Sequence, residues 1–588
     1  MARAVLSGTS VSPGIALGKV QKLLPSGMVE ERRILPGECA AECAALRQAA
    51  ARARDELKLA SEQVPADLAE QGDIIRAHMQ LCQDPKLLGT AERRIHEQHL
   101  CASWALSCTV EELCALFHGM DDPYLRERAQ DIKAVGRRIQ TCLLGCEAAR
   151  GRTMPHVLIA EDISPADALR LNLRGMLGLV TMEGGPTSHT AILSRSLHLP
   201  AVVGVTSLMD MVEDGDFIIV DAVRGCVHVA PDEDEVAQFS ARQEEYLAWE
   251  HSTRHNAPLP AETLDGVRVT VQANMESPDE CAAALGAGAE GAGLYRTEFA
   301  YLRASRFPTE EQLFQEYRDV ARRMAPARVV FRTLDAGADK MLRSQEALKE
   351  PNPNLGLRAI RFCLRHREVF HTQLRALLRA GLYGNTAIMI PMISSLQEVQ
   401  EVRRLITEVS QGLSAAGIPH RDDMPLGVMI ETPAAVMVAD SLARECDFFS
   451  IGTNDLLCYL MAIDRNNKHV SYLHDPLHPA MVLSLKRVID CAHREGIGVS
   501  VCGELSTDPH GLALLLGMGV DSVSAACTSV PAIKHMIRHL DAEICSELAH
   551  SVLASTDAAA SSRMVRETLA QCLGEELVFH NTMLQTNG

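Results

Sequence analysis

The sequence predicts a multidomain α/β protein: an α/β domain with an inserted helical bundle, followed by a (β/α)8 barrel of the TIM type. Three observations carry this expectation. The chain has 588 residues, enough for several compact units at roughly 100–200 residues each. From about Gly37 to Cys146, apolar residues recur three and four apart, as at Ile74, Ile75, His78, Met79 and Leu81, with almost no Gly or Pro inside the segments. Finally, eight short apolar runs alternate with longer helical patterns near residues 269–275, 292–296, 329–334, 386–391, 426–431, 447–452, 497–502 and 520–525, the rhythm of stacked βα units.

In chain order, Ala4 to Val20 reads as strand material turned at Ser12-Pro13-Gly14. The helical block follows. Short β-branched runs at His156–Ala160, Met176–Met182, Ala201–Gly204 and Phe217–Val220 then resume the first domain, so the helices are an insertion into it. Asp232 to Arg254 opens with four acids and closes on Arg254, the charge order that favours a helix dipole, and His255–Pro260 breaks it. The expected domains are therefore 1–32 with 147–230 for the α/β domain, 33–146 for the insertion, 231–260 for a linker helix and hinge, 261–575 for the barrel, and 576–588 for a frayed tail.

Composition sets limits on function. Hydrophobic residues make up 47% and charged residues 23%, the balance of a chain that folds. A net charge of −19 has the wrong sign for a whole-surface grip on nucleic acid or anionic lipid, so any anionic ligand needs a local cluster of cations. No run approaches the ~18 apolar residues that cross a bilayer, and Met1–Lys19 lacks a charged start followed by an apolar block. The expectation is a soluble cytoplasmic protein without membrane insertion. The 18 cysteines form no Cys-x-x-Cys pair, and Cys39/Cys43 and Cys142/Cys146 are spaced as on helices, which suits free thiols packed as small apolar residues.

Gly286-Ala-Gly288-Ala-Glu-Gly291 satisfies G-x-G-x-x-G, but a helical run precedes it and a strand follows, the reverse of a dinucleotide site, so it reads as a helix-to-strand turn. No P-loop occurs. The barrel strands are more telling, because catalytic groups in this fold collect where strands end. Arg296 ends the second run, Arg332 and Asp335 the third, Glu431 the fifth, Asn454 and Asp455 follow the sixth, and Cys502 ends the seventh. Arg296, Arg332 and Arg465 suit bidentate recognition of carboxylate and phosphate. Glu431 with Asp455 offers hard oxygens for Mg²⁺. The ligand these groups imply is a small molecule carrying both phosphate and carboxylate. Elsewhere, Gly184-Gly185-Pro186-Thr187-Ser188-His189-Thr190 places His189 in the first turn of a helix with Thr and Ser as candidate caps. There the dipole disfavours imidazolium and stabilises a phosphorylated ring. His78, His198 and His493 have no such setting and read as structural.

These motifs resemble the enzyme I family of the phosphoenolpyruvate:sugar phosphotransferase system. The resemblance runs through Ser12–Ala16, Gly184–Thr190, Leu294–Phe299, Arg332–Asp335, Asn352–Arg358, Gly427–Pro433, Gly452–Leu456, Asp464-Arg465 and Val501–Glu504, spanning about residues 5 to 575. It implies that His189 is phosphorylated from phosphoenolpyruvate and hands the group to the carrier protein HPr, with pyruvate released. It also implies that Arg296, Arg332, Asn454, Asp455 and Arg465 bind the substrate, Arg358 and Lys340 give further phosphate contacts, Glu431 and Asp455 hold Mg²⁺, and Cys502 protonates the enolate carbon. The first domain would swivel, the insertion would dock HPr, and the barrel half would form a homodimer.

Some positions depart from the family pattern. Pro186 replaces a common Arg, Ala338 a Gly, Leu457-Cys458 a Thr-Gln pair, and Ala168 a hydroxyl residue. These changes bear on rate and partner preference, and none removes a named group. The dikinase and synthase relatives that share the histidine domain and barrel need an ATP-binding domain, and no nucleotide loop is present. An alternative within the fold is a phosphorylation-state sensor with weak turnover, although a scaffold has no physical need for a general acid or a metal pair. No sensor domain is legible before Ala4 and no carrier domain at either end, the pattern of a stand-alone form.

Overall fold

The structure, a computed structural model, describes residues 3–23, 31–62, 76–118, 123–144, 155–163, 175–185, 188–197, 199–302, 306–337, 352–464, 467, 469–574 and 576–586. They fall into two compact units, Met1–Leu247 and Ala248–Gly588.

The first unit contains an eight-stranded mixed sheet of β1 (Ala4–Ser7), β2 (Thr9–Ser12), β3 (Ile15–Leu23), β4 (His156–Ala160), β5 (Met176–Thr181), β6 (Ala201–Val203), β7 (Phe217–Asp221) and β8 (Cys226–Val229). Their order is β1-β8-β7-β3-β4-β5-β6-β2. Strands β3 to β6 run parallel, while β3 pairs antiparallel with β7. All five residues of β4 are buried, which explains its unbroken apolar run: a strand covered on both faces does not alternate. The turn expected at Ser12-Pro13-Gly14 is present, with Gly14 at φ +132°, and a further break at Gly8 divides the stretch before it, giving three strands. Strand β8 was not expected from the sequence. Only Val227 and Val229 of its four residues are buried, too short an alternation to stand out.

Helices Cys39–Glu62, Pro85–Gln98, Ala102–His118 and Pro123–Leu144 lie between β3 and β4, as the helical period predicts. Their core gathers Leu46, Leu57, Ile95, Leu106 and Ile139 together with Cys39, Cys43, Cys82, Cys101 and Cys142. The described cysteines are free thiols, and burial pushes Cys82 up to about 11, well away from reactivity. Helix Glu233–His255 carries Glu233, Asp234 and Glu235 in its first turn and Arg254 and His255 in its last, as the charge order predicted.

The second unit is built on a closed parallel barrel of β9 (Thr270–Met275), β10 (Gly291–Arg296), β11 (Arg328–Arg332), β12 (Thr386–Ile390), β13 (Leu426–Ile430), β14 (Phe448–Gly452), β15 (Gly498–Cys502) and β16 (Ser522–Ala526). Strand β16 pairs back to β9 and closes it. Each of the eight apolar runs read from the sequence coincides with one of these strands. Leu294, Val330, Met389, Met429, Phe448 and Cys502 belong to one core cluster drawn from these strands. The glycine-rich segment is the turn between helix Cys281–Gly286 and β10; Gly288 has φ +80°, and a Cβ there would lie 2.1 Å from the Ala257 carbonyl oxygen.

The expected frayed tail is instead a helix over Glu576–Thr586, with Leu577, Phe579 and His580 buried. Trp249 covers it, its ring 5.7 Å from Phe579 and 5.0 Å from His580. The apolar residues of this helix fall in two short clusters, Leu577–Phe579 and Met583-Leu584, which give no clear period to read. Among the described residues, no helix is long and apolar enough to cross a membrane.

Candidate active site

The barrel delivers its polar residues where strands end. Strand β10 ends on Arg296, β11 on Arg332 and β15 on Cys502, Glu431 follows β13, and Asn454 and Asp455 sit in the first turn of helix Thr453–Met461 directly after β14. Parallel strands in a closed barrel end on one rim, so stretches far apart in sequence meet there.

The centre of that rim is Asp335. Arg332 Nη1 donates to its Oδ2 at 3.0 Å, and Arg358 donates from Nε and Nη2 to its Oδ1 at 3.2 and 2.8 Å. Arg332 Nη2 also pairs with Glu298, and Arg358 Nη2 lies 3.5 Å from Asp455 Oδ2. Burial would push Asp335 up, but the two guanidinium groups hold it below the ordinary carboxylate range. Burial would likewise lower Arg332, yet Glu298, Asp335 and Glu431 hold it higher than usual, so the cation is fixed. Tyr459 accepts from Arg358 Nη1 at 3.4 Å and donates to the Asn354 carbonyl at 2.6 Å, which ties this network to the preceding loop.

Glu431 behaves oppositely. It is 1% exposed. Its Oε1 accepts from the Met392 backbone N–H at 2.6 Å, and Met392 adopts φ +58°, a left-handed conformation that costs a non-glycine residue energy. Gly452 leaves room for the carboxylate: a Cβ there would lie 2.7 Å from Glu431 Oε2. Burial, Asp335 and Asp455 push Glu431 up to about 8 against the pull of Arg332. A carboxyl raised this far marks a place short of positive charge.

Cys502 is buried behind the rim. Ser450 Oγ donates to its Sγ at 3.5 Å, and the thiol points at the Ile451 carbonyl at 3.6 Å. Burial pushes the thiol up, outweighing the Ser450 hydrogen bond, so at neutral pH it carries its proton. Asn454 and Glu504 lock each other: Asn454 Nδ2 donates to Glu504 Oε1 at 3.1 Å, and the Glu504 N–H donates to Asn454 Oδ1 at 3.0 Å. Arg296 lies at the half-exposed edge, donating to Glu276 Oε1 at 2.6 Å.

In the first unit, His189 opens helix His189–Ser196, one residue after the cap. Ser188 Oγ accepts from the Ala191 N–H at 3.3 Å, and Thr190 Oγ1 donates to Asp162 Oδ1 at 3.3 Å, holding the first turn to the segment after β4. Only the backbone of His189 is among the described positions. Arg465, Lys340, Pro186, Ala338 and Ala168 lie outside the described residues.

Models of PEP-utilising enzymes match the chain in three stretches: the N-terminal part at residues 7–128, the mobile domain at 153–225 and the PEP-binding domain at 250–542. The chain is 39% identical over 568 residues to phosphoenolpyruvate-protein phosphotransferase of Geobacillus stearothermophilus, covering 96% of this chain and 98% of the relative. It is 38% identical to the proteins of the same name from Bacillus subtilis (strain 168) and Listeria monocytogenes serovar 1/2a, covering 96% of this chain and 99% of each relative. The chain belongs to the phosphoenolpyruvate-protein phosphotransferase family.

For a member of this family, the structure brings Arg332, Arg358, Glu431 and Cys502 into one neighbourhood of little exposure, with the partly exposed Asp455 beside it and Arg296 and Asn454 at its edge. Sequence reasoning gave Arg358 a secondary part and singled out Asp335 only as a polar group at a strand end, yet Asp335 is the residue both central arginines share. The spacing of Asp335 three residues after Arg332 was the available signal. Glu298 and Tyr459 were missed as well; nothing local marks either one, since each meets its partner only across the fold.

Proposed function

We propose that this chain takes the phosphoryl group of phosphoenolpyruvate onto His189, releases pyruvate, and passes the group to a small HPr-like phosphocarrier protein, the first step of sugar uptake by the phosphotransferase system. One observation carries this reading: two buried arginines share Asp335 beside a charge-deficient Glu431 and a protonated thiol. It is supported by identity to phosphoenolpyruvate-protein phosphotransferases along nearly the whole chain.

Phosphoryl transfer asks a protein chiefly for positioning and charge neutralisation. Arg332 and Arg358, oriented by Asp335, would turn N–H groups toward phosphate and carboxylate oxygens, and Arg296 would exchange Glu276 for the substrate. Asn454, fixed by Glu504, offers an amide donor. Arg465 and Lys340 join this set by family resemblance. The departing enolate needs a proton on carbon, and Cys502, kept as a thiol by burial, is the group that can give it. The charge shortage at Glu431 fits a divalent cation, and with Asp455 it supplies the hard oxygens that Mg²⁺ prefers. Bound there, Mg²⁺ would neutralise charge on the phosphate and enolate oxygens.

His189 stands at a helix start, where the dipole favours the neutral imidazole that attacks phosphorus. Donor site and acceptor histidine belong to different units, so turnover requires a swivel, for which the linker at 231–260 is the hinge. The helical insertion docks the carrier, the barrel half forms a homodimer, and the protein works in the cytoplasm.

The test is to supply phosphoenolpyruvate labelled in its phosphoryl group, with Mg²⁺. The reading expects acid-labile, base-stable label on the chain that is absent from His189→Ala. Label that persists in that variant, or pyruvate release too slow to serve a carrier, would overturn it, the latter in favour of a sensor role.

A further inference from the structure

Away from the barrel rim, the described residues contain one group of three metal-ligating side chains whose donor atoms lie within 4.8 Å of one another: His535, Glu576 and His580. His535 lies on helix Val530–Arg538, just after β16. Glu576 and His580 stand four residues apart on helix Glu576–Thr586, which puts both on one face. His535 Nδ1 is 3.3 Å from His580 Nε2 and 4.0 Å from Glu576 Oε2. Two ligands held at about 2.0–2.1 Å from a tetrahedral ion stand roughly 3.3–3.4 Å apart. The two nitrogens already have that separation, and the carboxylate needs only a small side-chain adjustment to reach it.

Two facing ring nitrogens at this distance can share a single N–H, and the same separation suits two nitrogens on one ion. The rings are walled by Trp249, 5.0 Å from His580, and by His539, stacked 4.2 Å from His535. Both histidines are buried, whereas the Glu576 side chain is 42% exposed, which gives an ion a way in.

We propose that His535, Glu576 and His580 bind a divalent transition metal ion of the Zn²⁺ class, which fastens the C-terminal helix to the helix after the last barrel strand. Two imidazoles and one carboxylate suit Zn²⁺ and its neighbours and do not suit Mg²⁺. The fourth position, on the Glu576 side, is open to water. The residues are wholly different from those of the rim, so this site stands or falls separately from the proposed reaction.

The experiment uses the full chain, stripped of metal by a chelator and kept reduced by a phosphine, and titrates Zn²⁺ against a chromophoric chelator in excess Mg²⁺. Wild type is expected to bind one Zn²⁺ equivalent more than His580→Gln, and at least ten-fold more tightly at that equivalent than Glu576→Gln, which changes a half-exposed side chain and should leave the fold intact. Because the chain has 18 cysteines, Co²⁺ provides a second readout. The extra equivalent should show tetrahedral visible bands without thiolate charge-transfer absorption, and should raise the thermal midpoint of wild type but not of Glu576→Gln. Equal Zn²⁺ binding by wild type and Glu576→Gln, or Co²⁺ bands of thiolate origin that survive both substitutions, would overturn the proposal.

Discussion

At the barrel rim, Arg332, Asp335, Arg358 and Glu431 are packed against one another with little exposure, whereas the helix start at His189 rests on a serine cap and a threonine held by Asp162. In the proposed reaction, the two places divide the work of a phosphoryl relay. The rim is charge fixed in a low-dielectric setting, suited to hold a small polyanion and to stabilise the charge it develops. Among the described residues, the helix start offers a dipole and the hydroxyls of Ser188 and Thr190, which in the proposed reaction would let a phosphorylated His189 form without anchoring it. A relay needs this asymmetry, because an acceptor gripped as firmly as the donor could not give the group away.

The comparison breaks most visibly at the rim. Arg332→Met leaves Asp335 and Glu298 buried beside a missing cation, and should cost about 3–5 kcal/mol in urea unfolding. The same variant should lose about 100- to 1000-fold in labelling from phosphoenolpyruvate. Cys502→Ala should slow pyruvate formation by about 10²- to 10⁴-fold, while a phosphorylated carrier still labels His189 in the reverse direction. Since burial raises the thiol, wild-type pyruvate formation should keep its rate up to a pH above the ordinary thiol range before falling, and a pH profile checks this.

Glu431→Gln separates stability from function. The folded chain holds the Glu431 proton more tightly than the unfolded chain does, so stability contributed this way is complete at acid pH and declines as pH rises from the ordinary carboxylate range through about 8. Thermal midpoints measured without divalent cation should show that decline in wild type and a flatter profile in Glu431→Gln, while the variant loses labelling. At the helix start, Ser188→Ala removes the cap and should cost about 1 kcal/mol, read as faster hydrogen exchange in His189–Ser196. Tyr459→Phe is the mildest change: it loses the contacts to Arg358 and to the Asn354 carbonyl, and should raise the KM for phosphoenolpyruvate a few-fold with kcat kept.

The barrel was legible because each strand is a short apolar run ending in a residue of different chemistry, and Arg332, Glu431 and Cys502 could be singled out for that reason. The helical insertion was legible from its period. Asp335 and Arg358 were harder to read, since their pairing depends on a bridge between Gly337 and Arg358 that brings two separate loops together. Glu298 is an acid beside a strand end like many others, and only its burial against Arg332 distinguishes it. The tail was read as frayed because its contacts, Trp249 against Phe579 and His580, join residues more than three hundred positions apart.

The central claim is tested most directly by a single turnover, in which pyruvate and protein-bound phosphate are counted on the same sample. The account predicts one pyruvate for each phosphorylated chain, with the phosphate mapped by peptide mass to His189. Pyruvate released without matching phosphohistidine, or phosphate found on another residue, would contradict it.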